Sequence, residues 1–80
     1  MSSFRKERVG DLIHSCVASQ LREMHDPRLT AITVTEVKMT PDLKIAKVYY
    51  SALGQSEAIS ADALKHARTL LRKHVAQILK

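Results

Sequence analysis

Eighty residues allow one domain at most, and a chain this short hides only about 60% of the surface its unfolded form exposes. Apolar types make up 45%, too many for a disordered tail, and two glycines and two prolines exclude collagen-like and linker readings. Thirteen Lys and Arg against eight Asp and Glu leave a formal charge of +5, which attracts an RNA, DNA or anionic membrane surface. Cys16 stands alone, so no internal disulfide forms. MSSFRKERVGDLI has charges without a following apolar core, so it is no signal peptide. No apolar run reaches the roughly 20 residues needed to cross a bilayer. These features fit a reducing, cytoplasm-like compartment.

The first segment, about Phe4 to His25, repeats apolar residues at helical spacing. Val9, Leu12, Ile13, Cys16, Val17 and Met24 form the expected inward stripe, with Leu21 at its edge. Arg8, Asp11, Ser15, Ser19 and Arg22 fall opposite, and His14 points away from the stripe. Ser2 or Ser3 is the candidate cap. Asp26-Pro27 stops the helix, because proline disfavours the helical conformation in the residue before it.

Thr30 to Met39 is dense in β-branched residues and reads as a strand. Ile32 and Val34 share one face, whereas Val37 and Met39 share the other, so strict alternation cannot bury both pairs. Either a bulge near Thr35 to Val37 resets the phase, or both faces are partly covered. Thr40-Pro41-Asp42 is turn chemistry. The second strand, Leu43 to Leu53, puts Ala46, Val48, Tyr50 and Ala52 inward, with Lys44 on the same parity. Ile45, Lys47, Tyr49 and Ser51 lie opposite.

The last segment, about Ser60 to Lys80, is an amphipathic helix with Leu64, Ala67, Leu71, Val75 and Ile78 inward. Ser60 or Ser56 supplies its cap. Lys65, Arg68 and Arg72 recur at spacings of three and four, which stacks the cations on one face, and Lys73 flanks them. Such a face can track phosphates, or it can simply be a solvated face that aids solubility. The order is therefore helix, strand, strand, helix: an α+β domain. A lone hairpin is marginal in water. A third strand beyond residue 80, or pairing with another chain, is expected; the missing strand is the favoured reading.

Chemistry finds little support. Cys16 lies within the apolar stripe, where a thiol is a small core group rather than a nucleophile. His14, His25, His66 and His74 show no metal-ligand spacing, and the carboxylates are scattered. No Gly-rich phosphate loop is present. No enzyme, metal or cofactor is expected. Only Phe4, Tyr49 and Tyr50 carry rings, so contact with RNA backbone and shape fits better than serial base stacking. Arg28 is placed to brace a helix end.

The stretches RVGDLI (8–13), QLREMHDPRLTAITVTEV (20–37), TPDLKIAKVYYSALG (40–54) and ALKHARTLLRKHVAQILK (63–80) carry a resemblance. Together they are similar to bacterial ribosome-binding factor A, over nearly the whole chain. The resemblance implies a KH-like fold related to type II, with a third strand after the last helix, in a single domain over residues 1–80 that is truncated at its C-terminal end or else unusually short. It implies a non-enzymatic assembly factor that binds the 30S (small) ribosomal subunit and its 16S-type rRNA. Its role there would be to assist late rRNA maturation, as a cytoplasmic monomer with no membrane partner. The family's Ala-x-Gly kink reads Ala67-Arg68-Thr69 here, so a weaker kink, or one made by another route, is expected. Expected RNA contacts are Lys65, Arg68, Arg72 and Lys73, then Arg5 and Arg8, then Lys44 and Lys47. The alternative is a protein-interaction module that recruits a partner strand at the exposed sheet edge.

Overall fold

The computed structural model describes residues 2–79, with side chains from residue 6 onward. Its elements are α1 (Ser2–Glu23), α2 (Pro27–Thr30), β1 (Ile32–Met39), β2 (Ala46–Ala52) and α3 (Glu57–Ile78). The two strands pair antiparallel, giving the expected α+β order with one additional short helix.

That short helix is built by DPRL. Asp26 caps it, its Oδ1 accepting from the Arg28 N–H at 2.9 Å, and Pro27 occupies the first turn, where no N–H is needed. Before it, α1 ends and His25 takes the left-handed conformation at φ 54°. Thr30 therefore belongs to α2 and not to the strand that its β-branched side chain suggested.

The phase problem in β1 is solved by a bulge. The register runs Val34↔Tyr50 and then Glu36↔Tyr49, leaving Thr35 as the extra residue. Ile32, Val34 and Met39 are thereby all buried, with Val37 half-buried beside them. His14 reaches across from α1 to the bulge, its Nε2 lying 3.0 Å from the Val34 carbonyl oxygen. The sequence placed His14 away from the apolar stripe. It is half-buried instead, because a carbonyl beside a bulge needs a partner from outside the ladder.

β2 begins later than expected. Pro41 and Asp42 turn the chain, with the Leu43 N–H bonded to the Thr40 carbonyl at 2.9 Å and Leu43 itself left-handed at φ 61°. The Thr40 hydroxyl donates to Asp42 and accepts from the Ile45 N–H. Lys44 thus stands in the turn rather than in the strand. The Thr40 hydroxyl and the Lys44 N–H hold the Asp42 carboxyl below its ordinary value.

α1 covers one face of β1. Gly10 is buried at this contact, and a Cβ there would meet the Val37 carbonyl oxygen at 3.4 Å, an ordinary van der Waals distance. Ile13, Val17 and Leu21 form the buried face of α1. Leu12 turns outward and is 57% exposed, and Cys16 is half-buried, so the inward stripe is rotated from the sequence reading. Leu21, expected at the edge, is core.

α3 starts at Glu57. Ser56 is its cap, the side-chain oxygen accepting from the Ile59 N–H at 3.2 Å. Ser60 is buried one turn inside and donates to the Ser56 carbonyl at 3.1 Å. The helix runs unbroken through Ala67, Arg68 and Thr69.

Arg28 ties α2 to α3. Its guanidinium pairs with Asp26 at 3.2 Å and with Asp62 at 3.1 Å, and His66 Nδ1 sits 3.6 Å from the same Asp62 carboxylate. The hydrogen bond from Arg28 holds the Asp26 carboxyl below its ordinary value of 3.8. A depressed carboxyl favours the folded state fully above 3.8, and this contribution fades as pH falls through the lower folded value. Asp26→Asn keeps a capping acceptor and removes the charge. Its midpoint of thermal unfolding should fall less steeply than the parent's below pH 3.8. Superimposable pH profiles would mean that the pairing adds no stability.

Candidate functional site

The buried core is confined to α1, α2, β1 and two small residues of α3, Ala63 and Ala67. α3 packs against α1 and α2, with no comparable packing on β2 beyond its start. There, the Tyr50 hydroxyl donates to Glu57 at 2.7 Å, and that carboxylate holds the tyrosine proton on above its ordinary pKa. Further along, Leu64, Leu71 and Val75 of α3 look across at Ala46, Val48 and Tyr50 of β2 over an open apolar groove of about 630 Å³. Ile13 and Val17 form part of its floor.

Cations rim the groove. Lys65, Arg68 and Arg72 come from α3, and Lys44 faces them from the hairpin turn. No carboxylate lines it among the described residues, and none of the four cations joins an ion pair there. All four are exposed. The strip read from helical spacing is therefore present, with an apolar floor beside it that the spacing did not reveal.

The other expected contacts are not gathered here. Lys73 is exposed but does not line the groove, and neither does Arg8 on α1. Lys47 lies on the opposite face of the sheet, across from Lys38. The Arg5 side chain lies outside the described residues. Sequence reasoning missed Lys38, because the phase of β1 beyond Thr35 was open until the bulge fixed it.

The fold defines a class first: a small α+β domain of helix–strand–strand–helix arrangement with an open two-stranded sheet. The chain belongs to the ribosome-binding factor A family, whose pattern matches residues 5–80. It is 46% identical to ribosome-binding factor A of Beutenbergia cavernae over 76 residues, covering 91% of this chain and 48% of that one. With the protein of that name from Magnetococcus marinus it is 44% identical over 82 residues, 98% of this chain and 67% of the relative. The crystal structure of ribosome-binding factor A from Thermus thermophilus superposes with a TM-score of 0.79 at 26% identity. That match covers 90% of this chain and 79% of the other. The chain spans about half of the Beutenbergia relative and 58% of one from Rhodopseudomonas palustris.

Members of the family are non-catalytic. Among the described residues, no three or more His, Cys, Asp or Glu side chains gather to hold a metal ion. No helix of the described residues is long and apolar enough to cross a membrane.

Proposed function

We propose that the chain is a ribosome assembly factor that docks on the small (30S) subunit and its 16S-type rRNA and assists late maturation of that RNA. The observation that carries this reading is the strip Lys65–Arg68–Arg72, exposed, without ion pairs among the described residues and faced by Lys44. Cations held on a rigid helix match phosphates spaced along an RNA backbone, and each contact gains free energy by releasing counterions. A protein bound this way favours whichever RNA conformation it contacts best. No covalent step is required. The place of action is the cytoplasm, where the small subunit matures, and the chain works there as a monomer.

The groove also bears on the fold. A strand following α3 and lying parallel to β2 along its free edge would complete a right-handed crossover, with inward side chains entering the groove. That arrangement is the KH-like, type II related fold. The same free edge supports a second reading, in which a partner protein supplies the strand.

Crosslinking to immature and mature small subunits, with both RNA and protein positions read out, separates these. RNA crosslinks concentrated at Lys65, Arg68 and Arg72 on immature particles are expected. Crosslinks confined to a ribosomal protein at β2 would favour the partner strand.

A further inference from the structure

The face of the sheet turned away from α1 is covered by no described element: Thr33, Glu36 and Lys38 of β1 and Lys47, Tyr49 and Ser51 of β2 are all exposed on it. Lys38 and Lys47 are direct cross-strand partners near the turn. Like charges set opposite one another destabilise a ladder, and neither lysine is relieved by an ion pair among the described residues. Lys38 Nζ leans toward the neighbouring Tyr49 ring, 5.7 Å from its centroid. Tyr49 is 44% exposed, whereas Tyr50 on the other face is tied to Glu57. The acid of this face, Glu36, is the partner of Tyr49 and lies on the side away from the turn, so positive charge is concentrated at the turn end.

We propose that Tyr49, Lys38 and Lys47 form a platform for single-stranded RNA, separate from the groove: one unstacked base lies on the Tyr49 ring while the two lysines hold its flanking phosphates. An exposed ring set among cations on an open sheet offers what a single strand needs, a stacking surface beside a charge pair. A duplex hides its base faces and cannot use the ring. An anion between Lys38 and Lys47 also removes the repulsion that the pairing creates. The proposal takes RNA as its polyanion from the function proposed above, but uses none of the groove residues.

The chain contains no tryptophan, so Tyr49→Trp installs a single reporter at the platform. A short oligouridylate is expected to quench its emission, and an RNA duplex is not. Tyr49→Ala should weaken oligouridylate binding roughly five- to hundredfold and leave duplex binding unchanged, with Tyr49→Phe close to the parent. Lys38→Ala with Lys47→Ala should flatten the salt dependence of single-strand binding by about 1.4 in log–log slope. Circular dichroism checks that each variant is folded. The proposal is overturned if Tyr49→Ala binds oligouridylate as tightly as the parent. It is equally overturned if the Lys65, Arg68 and Arg72 alanine variant loses the single strand to the same extent, because the strand would then lie in the groove. Failure of the groove reading has a different signature: duplex affinity survives in that triple variant while Tyr49→Ala still loses the single strand, which supports the platform.

Discussion

Replacing Lys65, Arg68 and Arg72 together with alanine is expected to weaken binding to the immature small subunit roughly ten- to hundredfold near physiological salt. The slope of log affinity against log salt should become shallower by about 3, one unit for each phosphate contact removed. Folding should be untouched. All three side chains are exposed, and alanine has the highest helix propensity of any residue. The loss would therefore report on contact and not on unfolding, which circular dichroism can verify. Lys73→Ala serves as an internal comparison: it removes one charge from the same helix at a position off the groove. If net charge alone drives binding, Lys73→Ala should cost as much as any single member of the strip. A much smaller loss for Lys73→Ala means that placement matters. Equal affinity for parent and triple variant, at several salt concentrations, would remove this face from the interface.

Ile13→Ala is expected to be the most damaging single change to the fold. Ile13 is fully buried between α1 and the sheet, and truncating such a side chain costs about 2–5 kcal/mol. A chain of 80 residues has only about 4–12 kcal/mol to lose. We expect about 3 kcal/mol here, since the adjoining groove lets neighbours shift toward the void and alanine slightly favours the helix. For a domain of this size the loss lowers the thermal midpoint by roughly 12–24 °C. Leu12→Ala tests the orientation of the helix at the neighbouring position. Leu12 is 57% exposed, and its truncation should shift stability by less than about 0.5 kcal/mol. A large loss at Leu12 and a small one at Ile13 would mean that α1 is rotated from the described packing.

The contrast between these two residues shows why part of the fold was legible and part was not. Helical periodicity places Leu12 and Ile13 on one broad apolar stripe, and nothing local ranks them. The choice is made where α1 lies against β1, with Gly10 beside the Val37 carbonyl and His14 reaching the Val34 carbonyl. Those partners are some twenty residues or more away along the chain. The cap of α3 was ambiguous for a similar reason. Ser56 and Ser60 offer the same hydroxyl, and only packing decides that Ser60 is interior. Turn chemistry was more legible. Thr40 and Asp42 act on neighbours within five residues, as turn chemistry leads one to expect, whereas the cap that Asp26 makes for α2 was not read from the sequence.

By itself the sequence determined the order of the two long helices and the two strands, the turn at Pro41 and the alignment of Lys65, Arg68 and Arg72 on one helix face, but not the short helix α2. Each is a local property, set by a repeat of 3.6 or 2 or by a short side-chain bond. Tertiary structure alone decided that β1 bulges at Thr35, that Lys47 meets Lys38, and that α3 stands off β2 with Lys44 facing its cations. A repeat tells which residues share a face, but only contacts between distant segments settle what that face meets, and whether it closes into core or stays open.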